Sequence, residues 1–187
     1  MKTKSLFGIM ILFLLTFTFI GCNKEEEKFS KEIIQQTLFD MKGTYHGTVH
    51  VVSSNGYDKT LQNALAVSRD SLKFNMPLQP LSELISDETL SERLRDISEV
   101  TVVAGYDITQ LDYSVVNFGL YPKDVTILGG LGAPPTVRIV FAKNYGGDAE
   151  PKRNSIIFNM SPTELWMGDN KYENLPKITY HFEGVYE

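Results

Sequence analysis

With 187 residues, 42% of them hydrophobic and 22% charged, the chain is long enough to bury a core without a disulfide or metal staple. Its net charge of −5 repels phosphate backbones and argues against nucleic acid as a partner. A single cysteine, Cys22, excludes an internal disulfide framework.

Lys2 and Lys4 open the chain, and Leu6 to Ile20 follow without a charge. As a helix that run reaches only about 22 Å, short of a ~30 Å hydrocarbon core, so it reads as the apolar region of a signal peptide. Small Gly21 stands just before Cys22, where a signal peptidase needs room. Asn23 to Lys28 (NKEEEK) is polar and too short to fold, hence a tether. The segment Phe19-Ile20-Gly21-Cys22 resembles the bacterial lipobox, with Phe19 where that pattern usually has Leu. The resemblance implies cleavage before Cys22, acylation of its sulfur and a stable membrane anchor, since two acyl chains hold where one does not. Removing Lys2 and Lys4 leaves the mature chain more acidic still, which argues against anionic headgroups as the source of membrane affinity. Asn23, not Asp, follows the cysteine, so the usual inner-membrane retention signal is absent. Glu25, Glu26 and Glu27 resemble the export tag of surface lipoproteins of Bacteroidetes. The expected organisation is a signal peptide over 1–21, a lipidated cysteine and acidic tether over 22–29, and one β-rich domain over 30–187. The expected location is the cell envelope, on the outer membrane, facing the periplasm or the surface.

Ser30 to Met41 has helical spacing, with Ile33, Ile34, Leu38 and Met41 near one face and Gly43 closing it. From Thr44 the period changes to two. Tyr45, Gly47, Val49 and Val51 point one way, and Thr44, His46, Thr48 and His50 the other. Asn55-Gly56 predicts a hairpin with a type I′ turn, returning from about Tyr57 to Val67. Leu72 to Met76 is a further strand, ended by Pro77 and Pro80. Leu81 to Ile97 carries an apolar helical stripe, in which Asp87 caps a fresh turn. Beyond it the predicted strands are Val100 to Tyr106, Tyr113 to Tyr121, Asp124 to Leu128, Thr136 to Ala142, Ser155 to Met160, Glu164 to Gly168 and Lys177 to Tyr186. Pro122-Lys123, Gly129-Gly130, Gly146-Gly147-Asp148 and Gly168-Asp169-Asn170 read as the turns between them.

Many short strands with two short helices predict an antiparallel meander. A first strand bearing Gly43, Tyr45 and Gly47 and a last one bearing Gly184 and Tyr186 are candidates to pair and remove both edges. The expected fold is therefore mainly β, a closed or partly closed barrel of about eight strands, with a two-layer β-sandwich as the alternative. The lipobox, the acidic tether, GTYHGTVHV and the stretch FNMPLQPLSELI (Phe74 to Ile85) together resemble the small lipocalin-like, or calycin-like, lipoproteins of gut Bacteroidetes. The resemblance covers most of Phe29 to Glu187 and implies a barrel and an envelope location. It carries no catalytic residue across.

Chemistry is sparse. His46 and His50 share a strand face, but their Cα atoms lie about 13 Å apart, too far for one zinc ion. His181 meets one of them only if the first and last strands pair. No G-x-S-x-G elbow exists, and no spacing marks Asp40, Asp107 or Asp112 as a catalytic pair. LGGLGAPP, Leu128 to Pro135, lacks the Lys-Ser/Thr of a phosphate loop and reads as a rim loop able to act as a lid. Trp166 and Tyr172 are candidates for the core or for a sugar- or protein-contact patch. Asp70-Ser71-Leu72 resembles the short O-glycosylation site of Bacteroidetes envelope proteins. The expectation is thus a binding module without catalytic residues, metal or cofactor, held to the membrane through Cys22. It would take a small apolar or glycan ligand, or else act as an accessory lipoprotein through an envelope protein partner.

Overall fold

The computed structural model describes residues 29–112, 114–129, 135–143 and 145–186. Cys22, the leader and most of the tether lie outside the described residues, as do Tyr113 and residues 130–134 of the glycine-rich stretch. The folded unit is Lys31–Glu187. In chain order it contains α1 (Lys31–Asp40), β1 (Gly43–Ser53), β2 (Asp58–Ser68), β3 (Leu72–Pro77), α2 (Gln79–Leu84), α3 (Glu88–Ile97), β4 (Glu99–Leu111) and β5 (Val116–Pro122). There follow β6 (Val125–Ile127), β7 (Val137–Phe141), β8 (Tyr145–Glu150), a 3-10 turn (Pro151–Arg153), β9 (Ser155–Met160), β10 (Pro162–Met167), β11 (Asn170–Lys171) and β12 (Ile178–Tyr186).

Eight strands close into an antiparallel barrel in the order β1-β12-β9-β8-β5-β4-β3-β2. The closed barrel is the architecture that the lipocalin-like resemblance implied; a two-layer sandwich is not formed. Closure uses the first and last strands, with Tyr45 opposite Tyr186 and Gly47 opposite Gly184. Such pairing leaves neither strand with a free edge. The other four strands form a small sheet, β11-β10-β7-β6.

Several details differ from the sequence expectation. On α1, Ile33 of the expected inner face is 46% exposed, and Thr37 is the buried residue of the helix. The β1–β2 hairpin turns at Asn55-Gly56, but only Gly56 has positive φ, at 88°, so the turn is not type I′. Gly56 N–H bonds to Ser53 O at 3.2 Å and Ser53 N–H to Tyr57 O at 3.0 Å, the arrangement of a type I turn followed by a left-handed glycine. The second helical stretch begins at Gln79, ahead of Pro80, and is two helices, making three α-helices among the described residues. Chain direction changes at Ser86 and Asp87, and the Asp87 carboxylate accepts the Leu90 N–H at 2.9 Å as the cap of α3. Gly146-Gly147-Asp148 is not a turn but the middle of β8. A Cβ on Gly146 would sit 2.0 Å from Phe118 O, and one on Gly147 would sit 1.9 Å from Ile157 O. Glycine is needed there because the neighbouring backbones approach too closely for any side chain.

The inward faces fill the barrel. Phe74, Phe158 and Phe182 are wholly buried. Phe158 and Phe182 stack at 4.9 Å between centroids, and Phe74 meets them edge-on at 5.4 and 5.7 Å. Val49, Leu72, Val102, Leu120, Ile156 and Tyr180 are among the buried side chains that pack with them. An eight-strand barrel is just wide enough for such a filling.

The two rims differ. Pairing of Gly43 with Ser68, and of Ser68 with Leu72, puts the start of β1, and α1 just before it, at one rim. The ends of β3, β5 and β9 lead from the other rim into α2, α3 and the small sheet. That far rim is capped by Leu81, Leu90 and Leu94 of the helices, by Ile85 between them and by Val137, Ile139 and Leu165 of the small sheet, all buried. The cap is tied together by Tyr172, whose hydroxyl meets both the N–H and the Oγ of Ser86 at 3.0 Å.

Candidate functional site

At the α1 rim three separate segments meet around a cleft of about 490 Å³. Thr37 and Asp40 come from α1; Leu111 from the end of β4, Asp112 and Ser114 from the connection after it and Val116 from the start of β5; Pro151 and Lys152 from the 3-10 turn. Each segment is held locally. Met41 is buried at the end of α1, and its carbonyl accepts the Tyr45 hydroxyl at 2.9 Å, fixing the helix to β1. Thr37 is turned inward and its hydroxyl donates to Ile33 O at 2.8 Å. Gln36 Nε2 donates to the Asp40 carboxylate at 2.7 Å. Asp112 N–H bonds to Val115 O at 2.9 Å, which closes the β4–β5 turn. Asn154, with φ of 54°, ends the 3-10 turn and donates its N–H to Pro151 O at 3.2 Å.

The cleft has an apolar part, Leu111, Val116 and Pro151, and a polar rim with two carboxylates, two hydroxyls and one ammonium. Such a lining can accept and donate hydrogen bonds at the rim while apolar atoms take the C–H face of a ligand. No spacing in the sequence marks Asp40 and Asp112 as related; the fold brings both to this cleft, and Asp107 elsewhere. Asp107 accepts the Tyr121 hydroxyl at 3.2 Å. Under α1 the barrel mouth holds one more polar pair, Tyr106 hydroxyl to Ser68 Oγ at 2.8 Å. Burial, eased by the Ser68 bond, pushes the Tyr106 hydroxyl pKa well above its ordinary value.

The other candidate residues fall elsewhere. His50 stands directly opposite His181 across the β1–β12 seam, while His46 faces Val185. His50 Nε2 pairs with Asp58 at 2.7 Å, and His181 with Glu183 at 2.9 Å and Asn159 at 2.8 Å. Among the described residues no three His, Cys, Asp or Glu side chains converge as a metal site. Trp166 is neither in the core nor a free platform. It is half-buried on the outer face of the small sheet, in register between Arg138 and Lys171. The Arg138 guanidinium lies 4.7 Å and the Lys171 ammonium 5.9 Å from its ring centroid. Its Nε1 donates to Glu164 at 3.0 Å. The bonds from Lys171 and Trp166 hold the Glu164 carboxyl below its ordinary pKa. Asp70 and Ser71 lie in the exposed turn between β2 and β3, with Leu72 buried beneath. The proposed rim lid lies largely outside the described residues; of it, exposed Leu128 accepts a bond from Arg93 Nη2 at 3.5 Å.

No family model, curated protein or solved structure matches the chain. Among the described residues, no helix is long and apolar enough to cross a membrane. A functional reading therefore rests on the residues and their geometry.

Proposed function

We propose that the chain is a lipid-anchored envelope lipoprotein that holds a small ligand, without transforming it, in the cleft beside α1. The lipobox-like residues ending in Cys22 support the anchor, and Asn23 and the acidic run after it support the outer membrane. The observation that carries the binding part is the filling of the barrel. Phe74, Phe158 and Phe182 occupy the space a lipocalin-like protein would give to an apolar guest. Binding then falls to a surface cleft, and the mixed lining beside α1 favours a glycan over a purely apolar molecule.

Native mass spectrometry of the gently extracted protein tests both parts. The expected mass begins at Cys22 and includes acyl chains, with any ligand as a further increment. Glycan binding measured on the same material is expected to fall at least tenfold in Asp40→Ala and Asp112→Ala, on the order of one lost charged hydrogen bond. A chain that keeps Met1 and carries no fatty acid overturns the anchor; glycan binding indifferent to both substitutions overturns the cleft.

A second reading, action through a protein partner, is favoured by the outer wall. Val185 and Ile157 lie on neighbouring strands β12 and β9 and are 52% and 38% exposed. Crosslinking in membranes that is abolished by Val185→Asp is the outcome that reading requires.

A further inference from the structure

We propose that Phe39, Lys42 and Tyr186, together at the α1 rim, rest at the headgroup level of the membrane that carries the anchor. This inference builds on the lipid anchor at Cys22 and adds which face of the barrel the anchor holds against the bilayer. It begins with chain length. Cys22 lies nine residues before Lys31, where α1 starts. Even fully extended, that link spans at most about 30 Å, so the α1 rim stays close to the lipid surface.

The rim has the side chains to use that nearness. Phe39 is 64% exposed, on the opposite side of α1 from Thr37, which faces inward. A lone exposed phenylalanine is ordinary. Here, however, the ring has suitable neighbours. The Lys42 ammonium lies 5.5 Å from its centroid and 3.5 Å from the Asp70 carboxylate. Lys42, Gly43 and Tyr186 share one surface depression with the charged Arg69 and Asp70 of the β2–β3 turn, which suit the headgroup level and not the hydrocarbon. Tyr186 is 44% exposed and lies against Gly43, where a Cβ would meet its Cδ2 at 2.9 Å. The patch thus joins an apolar ring, an ammonium on a flexible apolar stem and a phenol with one apolar and one polar end. These groups settle where hydrocarbon gives way to headgroups, the ring inward and the ammonium toward water. The anchor keeps the patch at high effective concentration beside the lipid, so a contact too weak to bind membranes alone still orients the barrel. The far rim, with its helical cap and Trp166, then points away from the bilayer.

The place of Trp166 supplies the test. Lipidated protein beginning at Cys22 is reconstituted into phosphatidylcholine vesicles with brominated acyl chains. In the double variant F39W/W166F, tryptophan fluorescence is expected to fall roughly twofold, the quenching of an indole at the interface. Native protein, with Trp166 at the far rim, is expected to keep its fluorescence. Deuterium uptake of wild-type protein gives an independent reading: exchange over residues 31–43 is expected to slow on vesicles relative to detergent. Protein that carries acyl chains and binds vesicles, but shows neither quenching nor slowed exchange, overturns the docking and leaves the anchor standing. Slowed exchange that appears instead with rising protein concentration in detergent assigns the patch to a second copy and also overturns it. Protein without acyl mass overturns anchor and docking together.

Discussion

Tyr180 stands wholly inside the barrel, and its hydroxyl has no hydrogen-bond partner of good geometry among the described residues. Burial, with the neighbouring Tyr57 adding to it and the Leu81 backbone easing it, pushes the Tyr180 pKa far above 10.0. A buried hydroxyl with no better contact than the poorly aligned Leu81 backbone costs stability, so Tyr180→Phe is expected to raise the unfolding free energy by about 1 kcal/mol in urea titrations. The pH dependence has a definite sign. A hydroxyl whose folded pKa is raised contributes stability that is complete below its unfolded pKa near 10 and is lost as pH rises beyond it. Wild-type protein should therefore weaken more steeply above pH 10 than Tyr180→Phe. Glu83 works in the opposite direction at the acid end. Partial burial favours its neutral form, but bonds from Tyr57, Gln79 and Lys59 outweigh this and lower its pKa below 4.5. Its contribution is present above the unfolded pKa and lost as pH falls through the folded one. The acid limb of stability against pH is expected to be shallower in Glu83→Gln, and an unchanged limb would show that the cluster is too solvated to matter.

At the scale of elements, the strands with clean alternation were legible and the ones built on glycine were not. β1 and β12 could be read as alternating strands and as candidates to pair, because each has one buried and one wet face, but the register that sets Tyr45 opposite Tyr186 appears only in the folded barrel. β8 could not. Gly146 and Gly147 carry no side chain to reveal a face, and a glycine required by a close backbone approach is indistinguishable in sequence from one required by a turn. The structure separates the two roles, and alanine substitution should as well. A Cβ on Gly147 would lie 1.9 Å from Ile157 O and 2.6 Å from Phe158 Cα, both backbone atoms that cannot step aside. Gly147→Ala is expected to cost about 3 kcal/mol or more, or to prevent β8 from joining β9. Gly105 is the control. Nothing lies within 4 Å of its would-be Cβ, and Gly105→Ala is expected to change the melting temperature little, or to raise it by stiffening the unfolded chain. Equal losses in the two variants would mean that strand propensity, and not close approach, sets the requirement.

The whole molecule shows why its site was harder to read than its fold. A closed barrel follows from local alternation plus pairing of the ends, both visible along the chain. The cleft beside α1 joins positions near 40, 112 and 151, which no local motif connects. Only closure brings them together. The same closure settles what the interior can hold. With eight strands the lumen takes side chains or one small guest, and here Phe74, Phe158 and Phe182 take it. The filling can be reversed by design. Each of the three rings touches both others, so Phe158→Ala removes two of the three ring contacts. The expected loss is about 3–5 kcal/mol, from lost transfer energy plus the cavity left behind. An apolar cavity of that size stays dry and admits a small hydrocarbon. Benzene should therefore raise the melting temperature of Phe158→Ala and leave that of the wild type unchanged, since only a state-specific binder stabilises. Stabilisation of the wild type by benzene would reveal interior space that the three rings leave open, and would return the apolar guest to the inside of the barrel.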